Sequence, residues 1–229
     1  MEKSKEFIEE MFDRIAPEYD RMNFIIGFGL GSLWRKKVAK KLVHADLVLD
    51  LCAGTGDMAK SLLSQKEFKG KVVLIDRNWE MLKIAKEKLS SYPNRVSIIV
   101  ADVERLPFKD SSFEGMSMGF ALRHILDFSK FLSEIKRALK PNETAYLLDL
   151  AFPKNYFFKK LYLFYLNKPM LWWLSLFSKN GKYYQFLYFS LNRFMRQKEV
   201  IEKANAVGFS QTKFWNLSFG MAAIYGLKK

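Results

Sequence analysis

Residues 48–59 read VLDLCAGTGDMA, and the fold turns on how this stretch is parsed. A short apolar run, Val48 to Leu51, breaks into two glycines and resumes with residues suited to a helix from about Asp57. Gly54 and Gly56 let the backbone approach a ligand closely. Ala59 takes the third small position of a G-x-G-x-x-A turn, and the helix start offers free N–H groups to a ligand. Many α/β proteins turn this way, so the loop by itself leaves a purely structural turn open.

Outward from the loop, the pattern strand, loop, helix repeats. KVVLID (71–76) is a second strand, after which Asn78 can N-cap a helix carrying Met81, Leu82, Ile84, Ala85 and Leu89. RVSIIV (95–100), FEGMSMGF (113–120) and TAYLLDLA (144–151) supply three more strands, and FSKFLSEIKRALK (128–140) a further helix. Apolar strands alternating with helices predict a mostly parallel sheet covered on both faces. SQTKFWNL (210–217) and FGMAAIYG (219–226) are joined so tightly that they must pair antiparallel. Upstream, residues 5–16 place Phe7, Ile8, Met11, Phe12 and Ile15 on one helical face until Pro17 interrupts, and SLWRKKVAKKLVH (32–44) predicts a basic amphipathic helix.

Acids accompany the strand ends. Asp76 closes the second strand twenty residues after Gly56, where a carboxylate accepts hydrogen bonds from both hydroxyls of a ribose. NAD and S-adenosylmethionine both satisfy that much. Asp50, inside the first strand, suits an ammonium group and would repel a pyrophosphate. Asp102, in VADVERLPF, suits an adenine amino group, with Val103 against the ring. A loop cap is the plainer role for Asp102. Together the three acids favour a sulfonium cofactor over a dinucleotide. Cys52 reads as core filling; with His44 and His124 as the only histidines, no metal-ligand cluster and no Ser–His–Asp set arises.

Longer matches follow in order. FDRIAPEYDRMN (12–23), WRKK (34–37), the glycine loop, DRNWEMLKIAKEKL (76–89), ADVERLPFKDSSFE (101–114), FALRHILD (120–127), RALKP (137–141), YYQFLYFS (183–190) and FGMAAIYG (219–226) resemble the ubiquinone/menaquinone biosynthesis C-methyltransferases along nearly the whole chain. The resemblance implies a Rossmann-like class I methyltransferase: an α/β fold with a mostly parallel seven-stranded sheet, an antiparallel C-terminal strand, helices on both faces and an aromatic-rich helical insertion. One domain is expected, with 1–45 as a helical lid, 46–151 as the cofactor core, 152–196 as the insertion and 197–229 as a C-terminal helix and strand pair. It implies that Gly54, Thr55, Gly56, Asp76, Asp102, Val103 and Gly119 contact S-adenosylmethionine alongside Asp50. Tyr19, Asp20, Asn23 and Arg123 would line the methyl-transfer pocket, and Tyr184 would touch the substrate. Gly31 stands where the family usually has His, and His124 where it has Asn.

The expected reaction is C-methylation of a lipophilic, demethylmenaquinol-like quinol in respiratory quinone biosynthesis. A ring carbon becomes nucleophilic once its neighbouring hydroxyl loses a proton, so Arg123 is the candidate for stabilising the phenolate. His124, Asp20 or Tyr19 would handle the proton. The plainer roles are a salt bridge from Arg123 to Asp127, a surface position for His124, and capping or pairing with Arg21 or Arg35 for Asp20.

The net charge of the 229-residue chain is +14, and between Leu150 and Lys198 nine basic residues meet no acid, which points to an anionic partner. Sixteen aromatics lie between Phe152 and Phe194. Asn167, Lys168 and Pro169 break the apolar run before it reaches the length of a membrane span, so the block reads as a lid and a reversible membrane-docking face, or in part as core helices. A methyltransferase acting on RNA or on another lipophilic molecule is the alternative; dense runs such as LYLFYL favour lipid over bases, so no nucleic-acid partner is expected. A membrane-binding protein without catalysis would show no cofactor binding. The single cysteine excludes an internal disulfide and agrees with a reducing cytoplasm; a homodimer is compatible with the composition.

Overall fold

The computed structural model describes residues 5–153, 155–167, 169, 172, 183 and 195–229. Three helices come first, α1 (Lys5–Ile15), α2 (Tyr19–Ile26) and α3 (Leu30–Ala39). Then follow β1 (Leu47–Leu51), α4 (Asp57–Leu63), β2 (Lys71–Asp76), α5 (Trp79–Lys88), β3 (Val96–Val100), β4 (Phe113–Gly119), α6 (Phe128–Ala138) and β5 (Leu139–Leu150). The described remainder holds α7 (Tyr156–Asn167), α8 (Gln197–Val207), β6 (Gln211–Leu217) and β7 (Ala222–Lys228).

The seven strands form one sheet in the order β3-β2-β1-β4-β5-β7-β6. β7 runs antiparallel to both β5 and β6, and every other pairing is parallel. The order reverses between β1 and β4, so a crevice opens beyond their carboxyl ends, where ligands of such sheets bind. Apolar side chains fill both faces. Phe131, Ile135, Val200 and Ala204 of α6 and α8 pack on one side with Met116 and Leu147. Trp34, Val38, Leu62 and Leu82 of α3, α4 and α5 pack on the other with Val48 and Leu74.

Several boundaries differ from expectation, among them the end of α3, at Ala39 rather than His44, and the start of β7, at Ala222 rather than Phe219. α6 stops at Ala138, and β5 starts at Leu139 rather than Thr144. Pro141 disfavours helical backbone at Lys140, and the early part of β5 is irregular, with a register shift opposite Phe113 and Gly115. α3 begins two residues early, behind Gly29 at φ 69°.

A third apolar cluster joins α1 and α2 to the insertion: Met11, Ile15 and Met22 pack with Met81, Tyr162 and Tyr183. This part of the aromatic block is indeed core. The opposite side of α7 is not, because Tyr156, Phe157, Leu161 and Phe164 are exposed. Among the described residues no helix is long and apolar enough to cross a membrane.

Candidate active site

The crevice encloses about 120 Å³. Gly54 (φ +53°) and Gly56 (φ +80°) shape its loop in different ways. A Cβ on Gly56 would lie 3.0 Å from the Ala85 Cβ, so this glycine lets the loop pack on α5. A Cβ on Gly54 would meet nothing within 4 Å and would instead fill the space a ligand needs.

Asp76 ends β2 with both oxygens engaged, one accepting from the Gly54 N–H (2.8 Å) and one from the Asn78 N–H (2.9 Å). Burial raises its pKa above the usual carboxylate value. Asp102 lines the same crevice two residues beyond β3 and accepts the Glu104 N–H at 2.9 Å, the turn-capping bond foreseen for it, with the buried Val103 beside it. Asp50 is fully buried: the Ser117 hydroxyl (2.7 Å) and the Ala59 N–H (3.1 Å) donate to its two oxygens, and burial pushes its pKa up to about 7. It reaches a small cleft bordered by Gly54, Thr55 and Gly119. Cys52 packs against the core, as expected, and also lines the crevice. It sits at φ 48° on the crevice wall, and burial, with Asp76, Asp102 and Asp50 nearby, holds its thiol protonated.

Ile8, Glu9 and Phe12 of α1 close the crevice from above. The Asn78 amide holds that helix in place, donating to Asp13 (2.7 Å) and to the Glu9 carbonyl (3.3 Å), while also N-capping α5 through the Met81 N–H. α2 is tied down separately. Thr55 donates to Asp20 at 2.6 Å, and the Lys88 ammonium bridges Asp20 and Asp57, both at 2.6 Å.

A second cavity, of about 270 Å³, lies beside the crevice. Tyr19 and Phe120 border both spaces, so these two rings form the partition between them. Phe120 follows β4 at φ 63°, a conformation a bulky residue adopts only where its surroundings enforce it. Asn23 hydrogen-bonds the Tyr19 phenol, whose pKa burial raises and the nearby Arg123 and Arg35 pull back.

Consecutive residues part ways here. Arg123 faces the second cavity and His124 the crevice, where the imidazole stands edge-on to Phe12 at 5.5 Å. His124 is buried, not a surface residue. Arg123 pairs with Asp149 rather than Asp127, whose carboxylate caps α6 by accepting the Lys130 N–H. Asp20 pairs with Lys88 rather than with Arg21 or Arg35. Tyr19, Asp20, Asn23 and Arg123 therefore share one cavity as the resemblance implies, His124 lines the crevice instead, and Tyr184 lies outside the described residues. Sequence reasoning missed Phe120, Lys88 and Asp149. Asp149 carried a signal, an acid inside the apolar LLDLA; Lys88 on a lysine-rich helix carried none.

The chain matches the model of the ubiE/COQ5 methyltransferase family over residues 1–229. It is 36% identical over 224 residues to the ubiquinone/menaquinone biosynthesis C-methyltransferase UbiE of Geotalea daltonii, covering 96% of this chain and 95% of that one. It is 34% identical to the demethylmenaquinone methyltransferase of Chlorobaculum parvum, covering 97% and 92%. A solved SAM-dependent methyltransferase from Thermotoga maritima superposes with a TM-score of 0.67 at 21% identity, over 96% of this chain and 99% of that one, and shares the fold. With the glycine loop, the strand-end acids and the partitioned double cavity in place, the chain belongs to the ubiE/COQ5 methyltransferase family and is an S-adenosylmethionine-dependent methyltransferase.

Proposed function

We propose that this enzyme methylates a ring carbon of a lipophilic, demethylmenaquinol-like polyprenyl quinol, and does so at the cytoplasmic surface of a membrane. The observation that carries the reading is the pair of neighbouring cavities that both have Tyr19 and Phe120 in their walls. Such an arrangement suits a cofactor on one side and a flat aromatic acceptor on the other.

On the cofactor side, Asp76 suits the ribose hydroxyls, Asp102 the adenine amino group with Val103 against the ring, and Asp50 the ammonium, across Gly54, Thr55, Gly56 and Gly119. The bound cofactor supplies a methyl group already activated on sulfur. What the chain must add is alignment and charge, and orientation alone is worth about 7 kcal/mol or more. Tyr19, Phe120 and Asn23 would align the acceptor ring. Arg123, at the second cavity's wall, would favour the ionised form of the acceptor hydroxyl, which loses its proton through water or through Asp20. His124 would pack against the cofactor side.

The tail argues for a surface. Each five-carbon prenyl unit gains about 4 kcal/mol from staying in hydrocarbon, so the enzyme must meet its substrate there. Phe24 lines the second cavity and is also exposed. Phe28, four residues later in the chain, touches Tyr165 of α7 (5.2 Å), and Phe158 of α7 stacks on Phe219 (4.7 Å). Ring contacts thus link α7 to Phe28 and Phe219, and Lys159 and Lys160 lie on the same helix for anionic headgroups.

The test is direct. The protein is incubated with methyl-labelled S-adenosylmethionine and a membrane lipid extract, and the labelled product is identified. A methylated quinone supports the reading; label in RNA or in a water-soluble product overturns it.

A further inference from the structure

Two arginines border the second cavity, and they are differently placed to serve a ligand. The Arg123 guanidinium is buried and donates to Asp149 and to the Phe120 carbonyl (2.9 Å). Arg35, on α3, lines both the second cavity and the small cleft beside Gly54. Its guanidinium lies over the Phe120 ring of the partition, 5.1 Å from the centroid. Among the described residues its one ion pair is to Asp57 at 3.2 Å, and that carboxylate is shared, because Lys88 holds its other oxygen at 2.6 Å. A guanidinium carries five N–H donors in a fixed fork, so one shared carboxylate leaves donors to spare.

The wall beside Arg35 is cut away. Gly31 lies one turn before Arg35 on the same helix and lines the same cavity. A Cβ there would stand 3.4 Å from Arg35 Nη1 and 3.8 Å from the Phe120 ring. Any larger side chain would occupy the space in front of that nitrogen. Glycine leaves it open, at the place where an acceptor ring against Phe120 would carry its oxygen.

We propose that Arg35 is a further catalytic residue, its guanidinium contacting the acceptor's oxygen through the opening left by Gly31 and holding the negative charge formed when the O–H bond breaks. The electron pair stays on oxygen and the proton passes to water. Asp57, fixed from behind by Lys88, orients the fork. This role rests on the quinol reading above and adds to it a residue the resemblance does not assign.

The experiment uses the full chain, labelled S-adenosylmethionine and a short-tailed demethylmenaquinol in detergent as the probe. Arg35→Gln should lower kcat about a hundredfold, a larger factor than any loss of S-adenosylhomocysteine affinity measured by calorimetry. Without the cation the bound hydroxyl is harder to ionise, so the acid limb of the kcat–pH profile should move up by about one unit or more. Arg35→Lys should restore the limb's position while recovering only part of kcat, and Gly31→Leu should depress kcat with Arg35 intact. A profile that keeps its acid limb in Arg35→Gln overturns the proposal, as does a loss shared equally by the Gln and Lys variants, the mark of a merely structural arginine. If wild-type protein methylates no quinol while another acceptor takes the label, the quinol reading falls instead, and the two failures are told apart.

Discussion

The Arg123 guanidinium lies 2.5 Å from the Asp149 carboxylate, with both side chains almost wholly shielded from water. The second Asp149 oxygen accepts the Arg123 backbone N–H at 3.2 Å. One acid in β5 thus holds both the backbone and the side chain of Arg123 at the cavity wall. A side chain singled out for its chemistry is also a structural member of the sheet edge.

Removing the arginine leaves a buried carboxylate without its cation, which costs about 3 kcal/mol or more. Arg123→Met should therefore lower the melting temperature by several degrees. Arg123→Met combined with Asp149→Asn, which removes both charges, should recover most of that loss while leaving turnover low. Calorimetric melting and methyl-transfer assays check both halves. Full turnover in the double variant would confine Arg123 to architecture.

Asp76→Ala should weaken cofactor affinity by about a hundredfold, as two lost charge-assisted hydrogen bonds to a ligand warrant. Part of the loss comes from the loop itself, since the Gly54 N–H would lose its acceptor. Asp76→Asn, which keeps an acceptor for that N–H, should fall between wild type and Ala. Titration calorimetry with S-adenosylhomocysteine reads this, and wild-type affinity in Asp76→Ala would remove the ribose assignment.

Asp50 should make the protein sensitive to pH. Its carboxyl, pushed up to about 7 by burial, binds its proton more tightly in the fold than in the unfolded chain. The resulting stabilisation is fully present below a pH of about 4 and is lost as pH rises through 7. Binding an ammonium calls for the ionised form, so cofactor affinity should strengthen between pH 5.5 and 7, by at most about tenfold per unit. Asp50→Asn should flatten both dependences, and an unaltered slope in that variant would assign the titration elsewhere.

The exposed rings should matter for lipid and not for chemistry. Phe28, Phe164 and Phe219 are 69%, 56% and 75% exposed, and none lines either cavity. The triple change to Ser should weaken sedimentation with anionic vesicles at least tenfold, each buried ring being worth about 2 kcal/mol. Turnover of a short-tailed acceptor in detergent should stay at the wild-type level. Equal sedimentation of variant and wild type would return the rings to an ordinary surface.

Much of this was legible from local pattern. The five parallel strands, the terminal antiparallel pair, the Asn78 cap and the three strand-end acids all lie where short-range periodicity and turn chemistry put them, because each is decided within about ten neighbouring residues. The boundary near Lys140 was misplaced: the helix expected through Lys140 stops at Ala138, and β5 opens at Leu139 rather than Thr144.

What the sequence alone determined is the class of sheet, the cofactor loop and the acids that flank it, since strand, glycine turn and helix are contiguous in the chain. Only the tertiary structure decided which side chains share a cavity. It set Arg123 against Asp149, Asp20 against Lys88, Phe120 beside Tyr19, and His124 on the other side from Arg123. These partners are 26 and 68 residues apart for the two ion pairs. Nothing in a linear pattern ranks one distant acid over another; long-range packing selects the partner, and for Arg123 and Asp149 it brings the two charges together where water scarcely screens them.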